Sequence, residues 1–370
     1  MVYEIPKCET ILKAFEYANE DIPKIIRLNH LRKICNKNLK DWKIPIKYQY
    51  VWYCLNEQKI KRKTKRQIFN SKVTCYPFYI EMDKNISKII NSAVKKLDSR
   101  KKFAELVNRS IPRVCDWING RIRIPITALL KACQILNKDP WIILNGKLVS
   151  GQGTNEGFVF ENIKRKMILD ILTWIKLEGH VALEKGRIEI EQKDVGKNAL
   201  LRINKRIKNK FKINTHFYRR KRKNREGWIY TLRINSSPLK QILFLKYGID
   251  FGYKSPYVDL IDEVKVAKTK SDKLQILVSA METEGHFGFA RFKKYVYPRC
   301  NFTSSNKITT HNIKDLFSDL GFTSYIHKKD EFCWRVVLTK NCLKFYDLIS
   351  PYITHQKKLK RIMEAKNLIL

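Results

Sequence analysis

Two stretches of this chain end in the same way, and nothing else in the sequence constrains the fold as much. Ile171-Leu172-Thr173-Trp174-Ile175-Lys176-Leu177 runs into Glu178-Gly179-His180, and Leu277-Val278-Ser279-Ala280-Met281-Glu282-Thr283 runs into Glu284-Gly285-His286. Each is a mostly apolar helical run. A glycine just past a helix end is expected to adopt a left-handed backbone, which it accepts without a Cβ penalty. Glu178 and Glu284 are then placed at helix C-termini, where the helix dipole already carries partial negative charge. A nearby cation would offset that charge. Paired carboxylates on paired helix ends suit a divalent metal such as Mg²⁺ or Mn²⁺.

The elements after each motif also repeat. In the first copy His180–Lys185 and Arg187–Lys193 read as strands, residues 196–211 as a basic helix, residues 215–223 and 228–234 as a hairpin, and residues 238–247 as a closing helix. In the second, residues 286–296 and 299–304 read as strands and residues 312–320 as a helix stopped by Gly321. A hairpin follows around Lys328-Lys329-Asp330-Glu331, with a closing helix over residues 343–352. The predicted fold class is α+β, a duplicated αββαββα domain with a period near one hundred residues.

On these two motifs the chain resembles a LAGLIDADG homing endonuclease of the two-motif, single-chain kind, from about Glu161 to Leu370. The resemblance implies that the motif helices pack at a pseudo-twofold interface. It implies a metal site at Glu178-Gly179 and Glu284-Gly285, one acid serving each DNA strand, and an antiparallel sheet in each half that sits in the major groove. It also implies a basic residue near the metals, for which Lys357 and Lys358 are the second-half candidates and Lys254 the first. There are departures. Thr173 and Trp174 are larger than the small residues usual early in the motif, Lys176 is charged, and both terminal acids are Glu rather than the commoner Asp.

Charge agrees with a nucleic-acid partner: 75 Lys and Arg stand against 35 Asp and Glu, a formal net charge of +40. Such a charge repels itself unless an anion is bound. Arg219, Lys221 and Lys223 alternate along a predicted strand and so share a face. Arg291, Lys293 and Lys294 lie on a second-half strand, and Lys328 and Lys329 at a hairpin tip; all are expected to meet DNA. No long uncharged apolar run is present, so a membrane is not an expected partner.

The N-terminal part is organised differently. Ser99 is placed to cap a helix through Leu106, and Ser110 to cap a second with Pro112 early in it, running to Ile118 before Asn119-Gly120. A third helix follows over residues 126–136. The apolar positions, Phe103, Leu106, Val114, Trp117 and Leu129 among them, have core spacing. This segment resembles a phage-repressor helix-turn-helix, which leaves Arg113, Arg121 and Arg123 free for DNA. The expected division is 1–88 (basic, with the run Lys59–Arg66, and no assigned fold), 89–144 (helix-turn-helix), 145–160 (linker), 161–262 and 271–370 (the two halves).

Other chemistry is thin. His180 and His286 follow the motif glycines, and a strand-start histidine packed at the interface is the favoured reading over one that meets the scissile phosphate. The nine cysteines are scattered with no Cys-x-x-Cys pair, which speaks against a zinc ribbon or a disulfide framework and for a reducing compartment. No signal-peptide core begins the chain, and no intein termini are present. The expected function is a Mg²⁺-dependent, site-specific endonuclease of double-stranded DNA. The enzyme is expected to be monomeric and cytoplasmic, associated with the nucleoid in a prokaryote. The alternatives are a non-cleaving transcriptional regulator on the same fold and a maturase that binds intron RNA.

Overall fold

The computed structural model describes residues 78–151, 157–182, 186–221, 227–249, 258–292, 295–330 and 333–368. The N-terminal run 1–77, with Lys59–Arg66, lies outside the described residues, as do Lys223, Lys254, Lys293 and Lys294. The described part begins with a helical bundle: α1 (Lys84–Lys96), α2 (Arg100–Leu106), α3 (Ile111–Ile118), α4 (Ile126–Leu136) and α5 (Pro140–Leu144). The Ser99 hydroxyl caps α2 by accepting from the Lys102 amide at 3.2 Å. Ser110 makes no such bond, and Pro112 with its preset φ starts α3 instead. Phe103, Val114, Trp117 and Leu129 fill the core, whereas Leu106, at the last position of α2, is 50% exposed. Helix α1 starts at Lys84, so the bundle takes in residues before position 89.

The stretch expected as a linker is partly ordered sheet. Strands β1 (Tyr79–Ile80), β2 (Ile124–Pro125), β3 (Leu148–Ser150) and β4 (Gly157–Val159) pair antiparallel in the order β2-β1-β3-β4. Phe160 is buried just beyond β4, 5.9 Å from the Trp141 ring. One hydrophobic core runs without a break from Phe78 to Ile249. The Phe78 amide donates to the Gln241 side chain at 3.1 Å, so the bundle is seated on the unit that follows it.

That unit and the next carry the predicted duplication. The first half is α6 (Leu169–Leu177), β5 (Gly179–Val181), β6 (Arg187–Lys193), α7 (Lys197–Phe211), β7 (His216–Lys221), β8 (Trp228–Asn235) and α8 (Ser237–Tyr247). A short helix α9 (Ile261–Val266) leads to the second half. This is α10 (Lys270–Thr283), β9 (Gly285–Phe292), β10 (Tyr295–Ser304), α11 (Lys307–Asp319), β11 (Ser324–Asp330), β12 (Cys333–Leu338) and α12 (Cys342–Ile349). Both are αββαββα, and the two sheets have one topology, β5-β6-β8-β7 and β9-β10-β12-β11. The motif helices α6 and α10 pack on each other. A further helix, α13 (Gln356–Asn367), packs on β9 and reaches the first half at residues 194–196.

Register makes the equivalence of the halves residue-specific. Gly179 pairs with Ile190 and Ile190 with Leu232; Gly285 pairs with Phe302 and Phe302 with Val336. Hence Gln192 corresponds to Ser304, and Ile229 to Cys333. Three boundaries differ from the sequence reading. β10 passes through Pro298, which is paired with Phe289 on one side, while β12 pairs only with residues 301–304, so the missing N–H costs no ladder bond on that side. α11 starts at Lys307, capped by Asn306, whose side chain accepts from the Ile308 amide at 2.7 Å. Lys328 and Lys329 belong to β11 rather than to its tip.

The motif glycines serve a different need from the expected one. Positive φ occurs among the described glycines at Gly120, Gly146, Gly227, Gly248 and Gly321, not at Gly179 or Gly285. A Cβ on Gly179 would lie 2.6 Å from the Ile175 carbonyl oxygen, and one on Gly285 2.5 Å from that of Met281. The chain turns from helix into strand so sharply that only a bare Cα fits. Gly285→Ala is expected to destabilise the protein by about 2 kcal/mol. Gly288→Ala, whose Cβ would meet nothing closer than 3.4 Å, is expected to stay within about 1 kcal/mol in strand conformation. Urea denaturation midpoints of the two variants check this.

Candidate active site at the paired helix ends

Glu178 is the C-cap of α6 and Glu284 the C-cap of α10. Because the two helices pack together, both acids arrive at the same place. Glu178 lines a cleft of about 490 Å³ with Glu191, Gln192, Thr283, His286 and Lys358 among its neighbours. Glu284 lines a smaller one of about 190 Å³ with Lys176, Leu177, Thr303, Ser304 and Cys333. The registers relate the two clefts by the pseudo-twofold. Glu178, Glu191, Gln192 and Ile229 of the first occupy the positions of Glu284, Thr303, Ser304 and Cys333 of the second, and Thr283 that of Leu177.

The electrostatics are those of carboxylates held in a buried place beside one lysine. Burial, then repulsion from Glu284, raises Glu178 to about 7, against the pull of Lys358 and a hydrogen bond from Gln192. Glu284 is exposed by area, yet the protein around its carboxyl raises it too, with Lys358 opposing. Lys358 is half-buried; desolvation pushes it down to about 8, while Glu178, Glu284 and Glu282 hold it up. Its ammonium donates to the carbonyls of Met281 (2.8 Å), Glu282 (2.7 Å) and Thr283 (2.9 Å), the last turn of α10. A cation at a helix C-terminus is placed where the dipole favours it. His355, buried at the start of α13, is pushed down to about 4 by burial, with Lys358 and Lys357 adding.

Buried charges hold this arrangement. Lys176 and Glu282 occupy equivalent positions, two residues before each acid, and both are buried. Lys176 pairs with Glu263 of α9 at 2.5 Å and donates to the Asp259 carbonyl at 3.0 Å. Glu282 takes Arg202 of α7 at 2.5 Å and accepts from the amide and hydroxyl of Thr354 at 2.7 and 2.8 Å. Thus Glu282 ties a first-half helix to the second motif helix and to the entry of α13.

The candidate residues from the sequence fall in several places. Glu178, Glu284 and Lys358 come together; Lys357 lines the same cleft, as does His286. Gly179 and Gly285 are buried at the helix-to-strand turns. Arg219 and Lys221 share a face of β7, but it is the face of Phe217, toward the helices, with Arg219 lying 4.6 Å over the Trp228 ring beyond the core. Arg291 and Lys328 are on the corresponding side of the second sheet, and Lys329 is exposed beside a register shift. Arg113 and Arg121 are exposed on the bundle; Arg123 donates to the Ser150 hydroxyl at 3.2 Å. Gln192, Glu191, His355 and Arg361 line the Glu178 cleft without having been singled out. The signal for Glu191 and Gln192 is the strand register, which spacing alone does not supply; His355 and Arg361 arrive with α13, packed on β9.

The donor set fits a hard divalent cation: two neighbouring carboxylates, oxygen donors only from Glu178, Glu284 and Gln192, and burial that raises both acids, with repulsion from Glu284 adding at Glu178. No cluster of three or more His, Cys, Asp or Glu with metal-ligand spacing occurs among the described residues.

The fold is α+β, with two halves of the LAGLIDADG endonuclease-like kind in one chain. No family model matches the sequence, and no curated protein matches it. Among solved structures, it is similar to the homing endonuclease I-DmoI in complex with DNA and Mn, at 14% identity and a TM-score of 0.36, covering 50% of this chain and 96% of that one. It is also similar to the N-terminal LAGLIDADG domain of DUF199/WhiA, at 12% identity and a TM-score of 0.35, covering 55% and 88%. Full-length DUF199/WhiA from Thermatoga maritima is matched at 11% identity and a TM-score of 0.34, covering 55% and 61%.

The raised Glu178 has a consequence for stability. A carboxyl whose folded pKa lies above its unfolded value contributes stability at low pH, and that contribution is lost as pH rises between 4.5 and about 7. His355, shifted down, acts in the opposite sense, so the readout is a difference. In EDTA, the Tm of Glu178→Gln relative to the unsubstituted protein should rise as pH goes through that window. Mg²⁺ should raise the unsubstituted protein's Tm more at about pH 8 than at about pH 6, because protons compete for the same carboxylate. A pH-independent Tm difference would contradict the shift.

Proposed function

We propose that the protein is a metal-dependent, site-specific endonuclease of double-stranded DNA. The single observation that carries this reading is the meeting of Glu178 and Glu284 at the C-termini of two packed helices, each in its own cleft of a pseudo-twofold pair. Two equivalent sites at neighbouring helix ends suit the two strands of one duplex.

In this reading Glu178 and Glu284 hold Mg²⁺ or Mn²⁺, with Gly179 and Gly285 keeping the backbone close behind them and Gln192 beside Glu178. The metal supplies Lewis acidity and a more acidic bound water when present. Lys358 neutralises the last turn of α10 and stands beside both carboxylates, positioned to stabilise charge that develops on the phosphate. Lys357 and Arg361, exposed on α13 at the same cleft, suit backbone phosphates. Arg219, Lys221, Arg291, Lys328 and Lys329 add phosphate contacts at the strand ends, and Lys223 and Lys293, outside the described residues, are expected on sequence grounds to do the same. Arg113, Arg121 and Arg123 of the helix-turn-helix-like bundle extend the binding surface. A non-cleaving DNA-binding regulator is the second reading, favoured by the seating of that bundle on the first half through one shared core.

Charge, not shape, is what the acids supply. Glu178→Gln or Glu284→Gln should abolish double-strand cleavage in Mg²⁺ while leaving duplex affinity within about tenfold, near 1.4 kcal/mol. Nicking and gel-shift assays on a duplex selected from a randomised library test it. Undiminished cleavage by the double variant would remove the nuclease reading. Sequence-specific binding without cleavage by the unsubstituted protein would favour the regulator.

A further inference from the structure

A protein of net charge +40 places carboxylates on a sheet face turned away from its helices. In the first half, Ile188, Ile190, Leu232 and Ile234 face the core, so the intervening residues form the open face. Glu189 lies there between His180 and Arg233 in one cross-strand row, and Glu191 lies beside Thr231 and Tyr218 in the next. Each is held. The Arg233 Nε donates to Glu189 at 2.7 Å, with the Arg187 Nε 3.5 Å from the other oxygen. Arg220 donates to both oxygens of Glu191 at 3.0 Å, and the Thr231 hydroxyl to one of them at 3.1 Å. The Arg233 guanidinium also lies 5.0 Å over the Tyr218 ring.

The second sheet lacks these acids at the equivalent places. Register puts Asn301 where the first half has Glu189, and Thr303 where it has Glu191. The residue equivalent to Thr231 is Arg335, and Arg299 lies on the same open face. The two faces are alike in backbone and unlike in charge.

A carboxylate facing a polyanion weakens phosphate attraction, so its presence there needs a gain in discrimination. Carboxylates accept from the N4 amino group of cytosine, and arginine donates to guanine O6 and N7. An Arg–Glu pair fixed on one face offers a donor fork beside an acceptor, the complement of a C·G pair in the major groove. Opposite thymine O4 or guanine N7 the carboxylate would meet another acceptor. We propose that Arg233–Glu189 and Arg220–Glu191 are base-reading pairs, each selecting a C·G base pair, and that they make the first sheet the discriminating half of an asymmetric target. This rests on the duplex-DNA reading above, but not on cleavage.

The test is binding selection from a randomised duplex library without divalent metal, using the full chain. The unsubstituted protein should prefer C·G at two positions confined to one half-site. Glu189→Gln should relax the preference at one of them by about tenfold or move it toward adenine, which glutamine reads through N6 and N7; Arg233→Gln should lose guanine at the same pair. Positions under the other sheet should not change. A profile without C·G preference in either half would overturn the inference. So would a Glu189→Gln effect spread evenly over all positions, which would report charge alone. If the unsubstituted protein binds no duplex, the DNA reading falls and takes this inference with it.

Discussion

Two helices that end side by side concentrate negative charge. Each C-terminus has carbonyls without an intrahelical partner, and each here adds a glutamate. Much of the neighbouring structure answers this one fact. Lys358 takes three carbonyls of α10, and α13 exists in part to deliver it. Burial still raises the carboxyls of Glu178 and Glu284, with their mutual repulsion adding at Glu178. Under the proposed function, a divalent cation would be the partner that satisfies both carboxylates while leaving room for a phosphate.

The same helices fuse two halves that differ in charge at equivalent positions. Lys176 and Glu282 each need an opposite charge in a buried place, because an unpaired buried ion is strongly destabilising. Glu263 serves the first and Arg202 the second, and both reach across element boundaries. Identical halves would need identical partners. These halves have diverged together, in the interface and again on the open sheet faces, where Glu189 and Glu191 stand opposite Asn301 and Thr303. Under the proposed function, a duplex site without internal symmetry would be the matching ligand.

What the sequence made legible followed from local chemistry. The Glu-Gly ends, the alternation of Ile188 and Ile190, and the capping of α2 by Ser99 were all readable from the residues. The reason for the motif glycines was not, since helix-stop chemistry and a close carbonyl contact select the same residue. The start of α11 was hidden because Ile308, Thr309 and Thr310 resemble a strand; tertiary bonds override that, the Thr309 hydroxyl reaching the Val258 carbonyl. Residues 145–160 looked like a linker because of their glycines, yet Phe160 anchors β4 in the core. Helix α13 has mostly polar and basic residues and buries only Ile362 and Ala365, so periodicity gave it no signal. Which arginines lie on the open sheet faces depended on register, which is set across strands rather than along them.

On the proposed reading Glu178 and Glu284 each hold divalent metal, one on either side of the pseudo-twofold axis. Anomalous diffraction from the full chain crystallised with a selected duplex and Mn²⁺ tests it most directly. Anomalous peaks are expected about 2.1 Å from oxygens of both glutamates, with each metal also in contact with a phosphate. Peaks elsewhere, or a bound duplex with both carboxylates free of metal, would contradict it.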